Sequence, residues 1–373
     1  MKAVKLLSTI SATIILIIIF TISCSAQEEQ EYYVLDESGA YELFDSLDSE
    51  TKEMLSDFGI EELSADQIFQ VSPKRVITSI INIVSGKLFD VLKLLVCLSV
   101  ILVFQSVAQS ITNEEKSNIQ SIAFTLLITT ALTTSAYKAL TLACSQIVTC
   151  SDFMLSFIPV YTVLLSSCGN ISAAVNFNTL LFSASQFIAA FFKTALMPLM
   201  GVLMSINIAS AINPALPLSS ITGALKKIVT VILTFISTVF IGFLSFKGTI
   251  ASSVDALTVR SIRTVSGSLI PFIGSSVADA YSSVLGSLKL INNCFGFLGI
   301  LTVFIIVMPV IIELLMYYIV FHFASVTAQM LKCESSKLLE NTANVISVIT
   351  VFVVFVSILF IVSIGIMLKA RVV

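Results

Sequence analysis

Between residues 346 and 368 the chain runs through twenty-three consecutive positions without a charged side chain. That run decides what the molecule can be. A helix rises 1.5 Å per residue, so about 20 apolar residues cross a hydrocarbon layer of roughly 30 Å. Further runs that cross, or nearly so, lie at 94–111, 119–137, 153–168, 174–192, 194–212, 228–246 and 295–320. In lipid each backbone N–H and C=O must be satisfied within its own segment, which leaves helices for runs of this length. The chain reads as an all-α polytopic membrane protein. Its 57% apolar and 12% charged residues contrast with about a quarter charged in a soluble domain. A net charge of −3 and no basic stripe exclude a nucleic-acid binder.

The charge is unevenly placed. Residues 27–75 hold fourteen acids, from Glu28 to Asp66, against Lys52, Lys74 and Arg75; from residue 76 onward nine acids face fifteen bases. Ahead of this acidic stretch, Lys2 and Lys5 precede an apolar run from Leu6 to Ile22, and Cys24-Ser25-Ala26 offers small residues before Gln27. That pattern is a cleavable secretory signal peptide over residues 1–26. An uncleaved anchor, or a lipoprotein box at Cys24, are the alternatives, and all three place residue 27 onward outside the cytoplasm.

Residues 27–88 carry helical signals. Leu43, Phe44 and Leu47 form one apolar cluster; Met54, Leu55 and Phe58 form another, ended by Gly59. Ser64 and Gln67 have capping-box spacing. Ser72-Pro73 opens a longer helix with Ile77, Ile80, Ile81, Val84, Leu88 and Val91 on one face. So small a domain buries little core, and a partner or the membrane surface is expected to stabilise it.

The domain order expected is therefore a signal peptide (1–26), an acidic extracytoplasmic helical domain (27–88), and a membrane region with four to six spans (89–246). An amphipathic helix–hinge–helix segment (247–294) and a C-terminal membrane region with two spans (295–373) follow. The 174–212 stretch is broken only by Lys193 and Pro198, and is two spans or one bent one. Seven spans put Lys369 and Arg371 in the cytoplasm with Lys247, Arg260, Arg263 and Lys289, whereas eight put them outside. The positive-inside rule favours about seven, although Lys226, Lys227, Lys332 and Lys337 then fall outside. Seven and eight both stay open.

Residues 247–299 are too polar to cross the bilayer and too regular for a loop. Ile250, Val254, Leu257, Val265 and Leu269 keep helical spacing, with Asp255, Arg260 and Arg263 largely off that stripe. Pro271 and Gly274 interrupt the apolar run that follows, and Ser276 with Asp279 opens a second helix. Such a hairpin either packs at the interface or dips into the membrane and lines a path. Asn293, Gly296 and Gly299 come next, small enough to allow close entry into the next span.

These residues carry a resemblance. Asp255 through Arg263, then Ile270-Pro271-Phe272-Ile273-Gly274 and Asp279, then Asn293 through Gly299, are similar to the signature stretch of the stage III sporulation protein AE family. Asn292 departs from it, standing where a lysine is expected. The resemblance implies a component of the stage III sporulation A assembly, in the mother-cell membrane around the engulfed forespore. With a forespore-membrane partner, that assembly would form a secretion-like channel, or feeding tube, supporting late forespore gene expression. Its members would be the partners, with the lipid bilayer and no nucleic acid. Energy would come from a separate ATPase, and this chain has no phosphate-binding G-x-x-x-x-G-K-[ST] loop.

Among single residues, Glu313 is the acid set deepest in an apolar run, four positions after Pro309. A carboxylate there is costly and marks a path, a proton site or an ion pair with a neighbouring helix. Lys93 and Lys193 read as snorkelling span-end cations, and the lone His322, at the edge of a span, as structural or interfacial. Seven cysteines show no C-x-x-C pair; Cys144 and Cys150 would pair only in an oxidising compartment. No catalytic residue, cofactor or metal set is expected. A second functional class remains, an autonomous small-solute permease with Glu313 as its coupling carboxylate.

Overall fold

The structure is a computed structural model and describes residues 35–61, 63, 67, 68, 71, 73–111, 114–212, 274–333 and 335–369, with scattered helical positions between 223 and 246. The signal peptide lies outside these residues, as do the first helix and the hinge of the 247–294 segment. Every regular element among the described residues is helical. In chain order they are α1 (Ala40–Ser46), α2 (Ser49–Phe58), α3 (Pro73–Ile111), α4 (Glu114–Ser167) and α5 (Ile171–Phe191). A π-helical turn (Phe192–Leu196) leads into α6 (Met197–Ile212), and α7 (Gly274–Met330) and α8 (Ser336–Lys369) complete the order. Five helices among the described residues are long and apolar enough to cross a membrane: Lys74–Ile111, Ala123–Ser167, Ala174–Leu203, Gly286–Met330 and Ser336–Leu368.

α7 and α8 form the central antiparallel hairpin, on which α4 and α3 pack. The hairpin closes through a turn in which Lys332 takes φ 54° and the Cys333 N–H donates to the Ala328 carbonyl at 2.9 Å. α4 runs antiparallel to α7. Its contacts descend α7 as its own numbers rise: Thr125 meets Ser335, Gln146 meets Ile306 and Phe157 stacks on Phe295. α3 runs parallel to α7, with Lys87 beside Glu313 and the Leu102 carbonyl accepting from the Cys333 thiol at 3.7 Å.

Two apolar runs that read separately in the sequence are one helix here. α4 passes unbroken through 138–152, a stretch holding Lys138 and Asp152 but neither glycine nor proline, so nothing in its backbone chemistry ends the helix. At about 1.5 Å per residue its 54 residues span roughly 80 Å, well over the bilayer's thickness. The 174–212 stretch is one continuous helical element, with the π turn just before Pro198, whose nitrogen cannot donate back into the preceding turn.

α3 is turned inside out relative to the expected amphipathic helix. Ile77 and Ile81 are 57% exposed, Leu88 is also exposed, and Ser79, Leu98, Leu102 and Gln105 are buried; of the expected face, Val91 is buried. Deeper in the span, the buried Gln105 accepts from the Ser335 hydroxyl at 3.2 Å, because polar groups in lipid gain by facing other helices.

The acidic helices find their support within the chain. Asp48 caps α2, accepting from the Thr51 N–H at 3.1 Å and its hydroxyl at 2.6 Å. Gly59 ends it at φ 90°, donating to the Leu55 and Ser56 carbonyls; a left-handed residue there favours glycine. Met54, Leu55 and Phe58 are buried, and α2 packs on α3 and α7 while α1 packs on α4. Ser64 lies outside the described residues, and Gln67 Oε1 accepts from the Glu61 N–H at 3.0 Å. Cys144 and Cys150 sit on the same helix as free thiols.

Candidate functional site

Glu313 projects from the middle of α7 into the contact with α3 and α4. Its side chain is 5% exposed, and two lysines close on it from different helices. Lys87 Nζ of α3 is 3.3 Å from Oε2. Lys138 Nζ of α4 is 3.6 Å from Oε1. Tyr317, one turn further along α7, interacts with both Lys138 and Glu313. A buried carboxylate loses its hydration, and only paired charge and hydrogen bonds restore that loss. The two lysine side chains are about half exposed, so neither is taken wholly out of solvent contact by serving the acid. The cluster carries net charge +1 and ties three long helices together at one level.

The backbone beside the cluster is also specialised. Pro309 has no N–H for the Ile305 carbonyl four residues back. At the next carbonyl, Ile306, the Gln146 side-chain amide of α4 donates from outside the helix. A cavity of about 280 Å³ opens here, its polar wall made by Asp48, Glu50, Thr51, Lys87, Gln146 and Thr149. It connects the cluster, through Lys87, with the N-terminus of α2. A larger groove of about 760 Å³ beside α5 and α8 has no ionisable group among its described lining residues.

The other residues singled out in the sequence fall elsewhere. Asp255, Arg260, Arg263 and Pro271 lie outside the described residues. Gly274 is the first residue of α7, and Asp279 lies in its second turn. Gly296 and Gly299 face packed neighbours: a Cβ on Gly296 would come 2.5 Å from Leu368 Cδ2 and 3.1 Å from the Tyr161 hydroxyl, and one on Gly299 would run into the Phe157 ring. Phe157 is held by stacking on Tyr161 at 5.4 Å and on Phe295 at 5.3 Å between centroids. These glycines let α4 and α8 approach α7. Asn293 Oδ1 and the buried Asn292 Oδ1 have no hydrogen-bond partner among the described residues. Gly296 lies seventeen residues before Glu313 on the same helix, about 25 Å along its axis, so the two belong to different places.

Lys193 is exposed in the π turn, Lys93 is exposed on α3, and His322 stacks on Tyr318. Lys87 and Lys138 were not legible as partners of Glu313. A signal for Lys138 did exist: it is the one charged residue between positions 117 and 151, which makes it a lone ion in an apolar helix and in need of a counter-charge.

Comparison with known proteins gives a consistent result. The family model described as Stage III sporulation protein AE matches residues 57–371. Stage III sporulation protein AE of Bacillus subtilis (strain 168) is 29% identical over 217 residues, 58% of this chain and 54% of that protein. The chain thus spans about half the length of the curated relative it matches. No solved structure matches.

Proposed function

Because the chain belongs to the stage III sporulation protein AE family, as the match over residues 57–371 shows, we propose that it is a non-enzymatic component of the channel assembly joining mother cell and forespore. It is a membrane protein of a sporulation family. In this reading it sits in the mother-cell membrane around the forespore, with residues 27–88 in the space between the two membranes. It packs there with other members of the stage III sporulation A group and, through them, with a forespore-membrane partner. The assembly it serves is required for endospore formation and late forespore gene expression.

The observation that carries this reading is the family match. The side-chain chemistry is compatible with it. Glu313 is neutralised by two lysines from other helices, an arrangement suited to holding helices in register. The permease reading gains nothing from the comparisons, and a carboxylate so held is poorly placed to exchange a coupling ion.

Deletion of the gene in its own host, followed by membrane-stained microscopy through sporulation, tests the proposal. Forespores that engulf and then shrink or stall are expected. Normal spores from the deletion strain would overturn it.

A further inference from the structure

α3 and α8 both pack along α7 and scarcely touch one another, so they occupy different flanks of it. Their contacts fix their heights. On α3, Lys87 lies beside Glu313 and Leu102 beside Cys333. Its charge-free stretch, 94–113, therefore stands level with α7 from about residue 320 to the turn and past it, since all α-helices rise alike. On α8, the Ser336 carbonyl accepts from the Ser325 hydroxyl, and Leu368 lies against Gly296. Its charge-free run, 346–368, stands level with α7 residues of about 295–316 by the same count.

The exposed charges follow the same offset. At the height of the α8 run, α3 exposes Lys74, Arg75, Lys87 and Asp90, and the acidic helix α2 packs beside it. At the height of the α3 run, the α7–α8 hairpin exposes His322, Lys332, Lys337 and Glu340. Exposed apolar side chains stand on both runs, Val100, Val103 and Phe104 on α3 and Val351 and Ile358 on α8.

A hydrocarbon layer set square to the bundle covers about 20 residues of every helix at one height. Placed on the α8 run, it engulfs the α3 charges and their acidic neighbour. Placed on the α3 run, it engulfs the hairpin charges and leaves the uncharged half of α8 in water. Charges at membrane depth are costly. A slanted layer meets both runs and avoids both sets of charges. The candidate spans of α4 and α7, 45 residues each, suit it, because a stretch longer than the layer is thick is accommodated by tilting.

We propose that the bilayer crosses this bundle obliquely, with acyl chains covering α3 from Leu94 to Ile111 and α8 from Ile346 to Leu368 at different heights on the two flanks of α7. Lys87 and Lys93 then snorkel to one edge of the layer. Lys332 and Lys337 leave it at the opposite edge from α1 and α2. With those acidic helices outside the cell membrane, the two lysines are cytoplasmic, as the positive-inside rule favours.

Electron paramagnetic resonance of the reconstituted full chain tests this. Nitroxide labels are attached singly through Val103→Cys, Ile358→Cys, Ile81→Cys and Lys337→Cys, all at exposed positions. The background carries Cys97→Ser and Cys144→Ser, which remove the two native thiols that are not buried among the described residues. Val103 and Lys337 stand at nearly one height of the bundle, and Ile81 and Ile358 at another. In phosphatidylglycerol–phosphatidylcholine vesicles, relaxation by oxygen reports hydrocarbon and relaxation by a water-soluble nickel chelate reports water. The nickel-to-oxygen ratio is expected to be at least about fivefold higher at 81 and 337 than at 103 and 358, since polar complexes stay out of hydrocarbon. Ratios that pair by height instead, 103 with 337 and 81 with 358, would overturn the oblique crossing, and four equal ratios would as well. Sporulation is no part of this readout, so a failure of the channel-assembly reading is distinguishable from a failure here.

Discussion

Lys138 Nζ of α4 lies 3.6 Å from Glu313 Oε1 of α7, joining helices whose residues are 175 positions apart in the chain. Lys87 approaches the other carboxylate oxygen at 3.3 Å, so the acid has a second partner if the first is lost. Replacing either lysine with alanine should cost at most about 1 kcal/mol, because a partner remains and each lysine is half-hydrated. The Lys87→Ala/Lys138→Ala double variant strands a buried carboxylate and should cost about 3–5 kcal/mol, far more than the sum. Thermal unfolding of the detergent-purified protein, read by size-exclusion recovery, measures this. Additive losses would show that the lysines do not share the acid.

Gly299→Ala should destabilise the bundle by about 1–3 kcal/mol, since the new methyl meets the Phe157 ring and overpacking has that typical cost. Gly296→Ala should be milder. Its nearest neighbour is the terminal carbon of Leu368, which has rotamers available to yield. Adding Phe157→Leu to Gly299→Ala should recover part of the loss in the same assay.

Asp48→Ala removes the side chain that caps α2, a loss of about 1 kcal/mol. Because α2 is packed on α3 and α7, the effect should be local. Limited proteolysis should cut residues 47–58 faster, while the bundle's melting temperature changes little.

Cys333 sits in the turn between α7 and α8, outside both candidate spans, and burial pushes its thiol above the ordinary value. The folded protein therefore keeps the proton at pH values where an unfolded cysteine, near about 8.5, has lost it. The unfolded state binds fewer protons there, so this group's contribution to stability falls as pH rises through and beyond that value. Alkylation of Cys333, followed by peptide mass spectrometry across pH, should show an onset at higher pH in the folded protein than in the denatured one.

Much of the architecture was written in local chemistry. The helices follow from uncharged runs, the end of α2 from Gly59, its start from Asp48, and the close packing of α7 from Gly296 and Gly299. Glu313 stood out because a carboxylate in an apolar run needs a reason. Other features failed for equally local causes. The apolar runs 119–137 and 153–168 stand apart in the sequence, yet the stretch between them has no helix-ending residue and the two are one helix. The spacing puts Ile77, Ile81, Leu88 and Val91 on one face, but spacing alone does not say which part of that face meets a neighbour: Val91 is buried and the other three are exposed.

The sequence by itself determined that this chain is helical, that it lies in a membrane, and that it has the family signature matched over residues 57–371. Those properties depend on composition and spacing within segments of about 20 residues. Only the tertiary structure decided that Lys87 and Lys138 share Glu313, and that the acidic helices rest on the chain's own bundle. Each of these depends on which helices become neighbours and in what register. One charge in one helix carries no record of the partner that three-dimensional packing will bring within about 4 Å of it.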